Sequence, residues 1–141
     1  MRLLSPEKLL NPDPTRVFVI DTHPSVRHGL GRLLDGEPDI VLTGEAEDIP
    51  EAITRIHETE PDLVLVDLDL GEASGLDLLR HLHRQWVGLR SIVVSQYPPE
   101  LYADAAADAG ARGYVVKQNL ESQIVDAIRV VRSDGLFFKP L

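Results

Sequence analysis

The sequence has no cysteine. Disulfides, thiolate metal sites and cysteine nucleophiles are all excluded. Positive charge is scarce: 14 Lys and Arg face 23 Asp and Glu, a formal charge of -9. So acidic a chain repels phosphate backbones, and direct nucleic-acid binding is not expected. No apolar run approaches the roughly 20 residues of a membrane-spanning helix. Residues 1–15 are broken by Pro6, Pro12 and Pro14 and lack the apolar core of a secretory signal. A cytoplasmic location follows by default. There is no internal repeat and no glycine-rich phosphate loop. Gly29 and Gly31 imitate a dinucleotide-binding fingerprint, but its third glycine would fall at Leu34.

What is present suffices for one domain: 141 residues, 43% hydrophobic and 26% charged. The chain is organised around P-D-L-V-L-V-D-L-D-L at 61–70. Leu63 to Val66 is apolar without alternation, the mark of a strand buried on both faces. Asp67 then stands at its carboxyl end, the edge where ligands collect in open α/β sheets. Arg16 to Asp21 has the same design and also ends in an acid.

Further apolar runs at 40–42, 92–95 and 114–117 read as strands. Between them lie segments of helical period: Val26, Leu30, Leu33 and Leu34; Ile49, Ala52, Ile53 and Ile56; Leu76, Leu79, Leu82 and Trp86; an alanine-rich stretch from Pro98-Pro99 to Gly110; and Leu120, Ile124, Ala127, Ile128 and Val131. Five successive strand–helix units predict a parallel sheet with helices on both faces. Residues 1–15 read as an extension, with a short helix starting near Ser5-Pro6-Glu7. His81 and His83 point different ways and the other histidines are scattered, so solvated positions and no histidine metal site are expected.

Four of the strands end in Asp21, Asp67, Ser95 and Lys117. Each alone would serve as a turn residue or cap. Together they set two acids, a hydroxyl and an ammonium along one edge. A divalent ion such as Mg²⁺ would offset the crowded carboxylates. Such a site suits attack by a carboxylate on phosphorus, giving an aspartyl phosphate.

From about residue 16 to the end, the sequence resembles the receiver domain of bacterial two-component response regulators. V-F-V-I-D-T-H-P-S-V-R resembles the first strand and acidic turn, and P-D-L-V-L-V-D-L-D-L-G-E-A-S-G-L the phosphoacceptor strand and loop. I-V-V-S and G-A-R-G-Y-V-V-K resemble the hydroxyl and lysine strands. H-P, G-E-A and G-A-R-G-Y are most similar to receivers that precede a LuxR-type helix-turn-helix.

The resemblance implies a flavodoxin-like, five-stranded parallel sheet in the order 2-1-3-4-5. It implies Asp67 as phosphoacceptor, Ser95 as switch hydroxyl, Lys117 as phosphate-binding lysine and Tyr114 as aromatic switch. Mg²⁺ would rest on Asp21 and Asp67, and on Asp69, which is often neutral in relatives but lies two residues past Asp67 on the same side of an extended chain. A sensor histidine kinase would be the partner, and the surface of helix four, strand five and helix five would switch or form a homodimer. The chain would be a switch, not a metabolic enzyme. Thr22 departs from the family's second acid, and Gln96 is larger than usual after the switch hydroxyl. The chain stops at Phe138-Lys139-Pro140-Leu141, where a linker to a DNA-binding domain would begin. The competing expectation is an atypical receiver that works unphosphorylated, as an interaction module.

Overall fold

Uninterrupted apolar runs build the middle of the sheet. β1 (Thr15–Ile20) and β3 (Leu63–Val66) pair in parallel, with their apolar side chains buried on both faces, in a computed structural model that describes residues 13–139. β2 (Ile40–Ala46) flanks β1, while β4 (Arg90–Ser95), β5 (Gly113–Val116) and β6 (Phe137–Phe138) follow β3. The order is β2-β1-β3-β4-β5-β6, and each pairing is parallel.

Strand alternation divides the core between two helical layers. Val17, Val19, Leu63, Leu65, Ile92, Val94 and Val115 face α1 (Pro24–Asp35) and α5 (Leu120–Arg132). Phe18, Ile20, Val64, Val66, Val93 and Tyr114 face α2 (Ile49–Thr59), α3 (Gly75–Gln85) and α4 (Pro99–Asp108). Local chemistry starts these helices. Pro24 opens α1, Asp48 accepts from the Glu51 amide at 2.9 Å, and Ser74 Oγ accepts from the Leu76 amide at 3.1 Å.

The sheet has six strands where five were expected. Phe137–Phe138 turns back beside β5, and the Phe137 amide donates to the Arg112 carbonyl at 2.9 Å. Two residues carry no legible period, which is why the sequence hid this strand. β6 pairs only with the start of β5, at Gly113 and Tyr114, and the expected switching face remains α4, β5 and α5. β2 runs to Ala46, past the expected 42, because it follows β1 to its end. Leu78 is buried in α3, whereas Trp86 caps that helix and is only partly buried. Thr15 already belongs to β1, and the helix expected near Ser5 lies outside the described residues.

α3 is anchored directly behind Asp67. The Gly75 amide donates to the Leu68 carbonyl at 2.8 Å, and a Cβ on Gly75 would lie 2.1 Å from the Asp67 carbonyl oxygen. Gly75→Ala is therefore expected to cost about 1–3 kcal/mol through forced backbone displacement. Gly29→Ala, where a Cβ would meet nothing within 4 Å inside α1, is expected to be neutral or stabilising. Urea unfolding of the two variants checks the contrast.

Candidate functional site at the carboxyl edge of the sheet

The ladder itself brings the two acids together. Ile20 pairs with Val66, so Asp21 and Asp67 emerge side by side one residue later. Both carboxylates are about 2% exposed. Lys117, just beyond β5, places Nζ 2.8 Å from Asp21 Oδ2 and 2.9 Å from Asp67 Oδ2. The Asp69 amide donates to Asp67 Oδ1 at 3.1 Å.

Ser95 ends β4 fully buried and accepts a hydrogen bond from the Tyr97 amide at 3.0 Å. Tyr114 lies inward, and its hydroxyl donates to the Tyr97 carbonyl at 2.9 Å. One loop residue therefore ties the β4 hydroxyl to the β5 aromatic. Among the described residues, no buried side-chain nitrogen or oxygen lacks a hydrogen-bond partner.

Residues 17–129 match the family model of the response regulator receiver domain. The chain belongs to the response regulator receiver family. It is 34% identical over 82% of its length to the DNA-binding transcriptional activator DevR/DosR of Mycobacterium tuberculosis, covering 54% of that protein. It is 33% identical over 81% of its length to the transcriptional regulatory protein LiaR of Bacillus subtilis, again covering 54%. The chain thus spans about half the length of these curated relatives. A LuxR-family two-component response regulator from Aurantimonas sp. SI85-9A1 superposes with a TM-score of 0.85 at 31% identity, over 91% of each chain. The relatives carry the names of DNA-binding and transcriptional regulators, so they give the expected lack of nucleic-acid contact no support. No helix among the described residues is long and apolar enough to cross a membrane.

Within this receiver, Asp21, Asp67, Ser95 and Lys117 stand at the carboxyl ends of their strands, while Tyr114 lies inside β5 and reaches the loop after β4 through its hydroxyl. Asp69 does not join the acid pair. Its Oδ2 accepts from Gln96 Nε2 at 3.3 Å, bridging the loops after β3 and β4. Asp69 lies beyond the end of β3, in a short hairpin where it pairs with Ser74, so the same-side rule of an extended strand no longer holds.

His23 takes a place the sequence reading denied to any histidine. Its Nδ1 stands 2.9 Å from Asp21 Oδ1 and 3.9 Å from Asp67 Oδ2, while its amide donates to Asp21 Oδ1 at 2.8 Å. Asp21, His23 and Asp67 each bring a ligand atom within 4.8 Å of the others, a cluster that can hold a metal ion. The two carboxylates fit a hard divalent cation, and the imidazole fits a softer one. The available signal was position: His23 lies two residues past Asp21, at the turn into α1. Arg27 braces that turn, with Nη1 donating to the Asp21 carbonyl at 2.6 Å and Nε to Glu45 Oε1 at 3.2 Å.

Burial and the neighbouring Asp21 charge raise the Asp67 carboxyl above its ordinary value, despite the opposing Lys117 bond. Burial works against the Lys117 ammonium, but its bonds to Asp21 and Asp67 outweigh that and raise it. The sign for Asp67 follows. A carboxyl raised in the folded state stabilises the fold only where it is protonated, and that contribution is lost as pH rises through the raised value. Ionisation of Asp67 thus costs the fold stability. Asp67→Asn is expected to unfold at higher urea concentration than wild type at pH 7, with the gap closing toward pH 4. Equal midpoints at both pH values would contradict this charge crowding.

Proposed function

We propose that Asp67 accepts a phosphoryl group from a sensor histidine kinase. The supporting observation is a buried carboxylate held by the Lys117 ammonium on a strand next to the one ending in the Ser95 hydroxyl. An Asp67 carboxylate oxygen would attack phosphorus as the phosphorus–nitrogen bond to the kinase histidine breaks. Lys117 would hold the resulting phosphoryl oxygens, and Ser95 would donate to one of them. A Mg²⁺ ion held by Asp21 and Asp67 would neutralise phosphoryl charge when bound.

The reading extends to the switch. Ser95 drawn toward the adduct would release the Tyr97 amide and disturb the Tyr97 carbonyl that holds Tyr114. Tyr114 would then couple the site to α4. That helix is the weakly anchored neighbour: Ala106 is its single buried residue, against Ile124, Ala127, Ile128 and Val131 in α5. A small differential contact suffices to shift such a two-state element. The chain acts as a switch that assists its own phosphorylation and dephosphorylation, and it would pair with a second copy through α4, β5 and α5.

Incubation with a small phosphodonor and Mg²⁺, followed by intact mass, is expected to show one added phosphoryl group that Asp67→Asn abolishes. A labelled Asp67→Asn protein would assign the acceptor elsewhere.

The second reading is an interaction module that works unphosphorylated. Thr22 favours it, because a neutral hydroxyl stands where the family usually has its second acid. Sedimentation separates the two: a dimer that responds to phosphodonor supports the switch, and one indifferent to it supports the module.

A further inference from the structure

We propose that His23 is a direct ligand in the cation pocket and tunes it from Mg²⁺ toward first-row transition ions, of which Mn²⁺ is the first. This rests on reading the pocket as the cation site of a phosphoacceptor, and it goes beyond that reading in naming the donor and the ion class.

The geometry supports ligation through Nδ1. Two ligands each about 2.1 Å from one ion can stand at most about 4.2 Å apart. His23 Nδ1 lies 2.9 Å from Asp21 Oδ1 and 3.9 Å from Asp67 Oδ2, inside that bound for both carboxylates. The ring is half in solvent, with its side chain 56% exposed against 3% for Asp21, so it can adjust while the acids stay fixed. Pro24 fixes the first turn of α1 and Arg27 braces the Asp21 carbonyl, so the backbone that carries His23 is held at the pocket.

Chemistry then selects the ion. Thr22 brings a neutral hydroxyl, and Asp69 is engaged with Gln96. The strong donors left are two carboxylate groups and one imidazole. Mg²⁺ prefers oxygen ligands and gains little from imidazole. Mn²⁺ accepts the same carboxylates and tolerates the nitrogen, and later first-row ions bind nitrogen more tightly still. Mn²⁺ is the better probe, because the chain has 5 histidines that would capture softer ions at the surface.

Pulsed electron paramagnetic resonance of the full chain loaded with Mn²⁺ reads the ligand directly. An imidazole-nitrogen coupling is expected, and it should change on growth with ¹⁵N-histidine, a control that needs no variant. His23→Ala should remove the coupling and weaken Mn²⁺ roughly tenfold or more, with Mg²⁺ affinity by calorimetry little changed. Thr22→Asp should tighten Mg²⁺. A bound Mn²⁺ without nitrogen coupling, or a coupling that survives His23→Ala, overturns the proposal. If Mg²⁺ still supports phosphorylation of Asp67 in that case, the phosphoacceptor reading stands without it. Binding of neither ion, together with no phosphorylation, sinks both.

Discussion

The buried pair of carboxylates on Lys117 is the constraint to which the rest of the structure answers. Parallel pairing of β1 and β3 delivers Asp21 and Asp67 to one place in a poorly solvated edge, where two like charges repel strongly. Lys117 offsets them by touching both, and it reaches them because β5 ends one residue earlier. Removing either acid relieves crowding, whereas removing the ammonium leaves two buried anions without compensation. A fold that keeps such a cluster gives up stability at that edge, a trade common at functional sites.

The surroundings are arranged so that the cluster is rigid on one side and free on the other. Behind it, the start of α3 is clamped against the Asp67 backbone, and α5 is fixed through four buried side chains. In front, Ser95, Tyr97 and Tyr114 form a short chain of hydrogen bonds leading to α4, which few buried residues restrain. Regions with little buried apolar surface open at the lowest cost, and α4 buries far less than α5.

Much of this was legible in the residues. Leu63 to Val66 and Val17 to Ile20 could only be inner strands, because nothing polar interrupts them, and strands at the centre of a parallel sheet must end side by side. That reasoning brought Asp21, Asp67, Ser95 and Lys117 together, and the helical faces of α1, α2 and α5 followed from period alone. The misses have physical causes. Phe137–Phe138 is too short to show a period. His23 was counted among scattered histidines because its reach depends on how the β1–α1 turn folds.

The sequence by itself determined the order of strands and helices, the acids, hydroxyl and lysine at the strand ends, and the absence of any thiol chemistry, because these depend on local pattern and composition. Tertiary structure alone decided which polar groups touch. Asp69 and His23 each lie two residues from an acid of the pair, yet one turns to Gln96 and the other to Asp21. The choice is made by how the chain turns beyond each strand, with Asp69 in a hairpin against Ser74 and His23 at the start of α1, and by contacts such as Gln96 from a distant loop. No count of positions along the sequence contains that information.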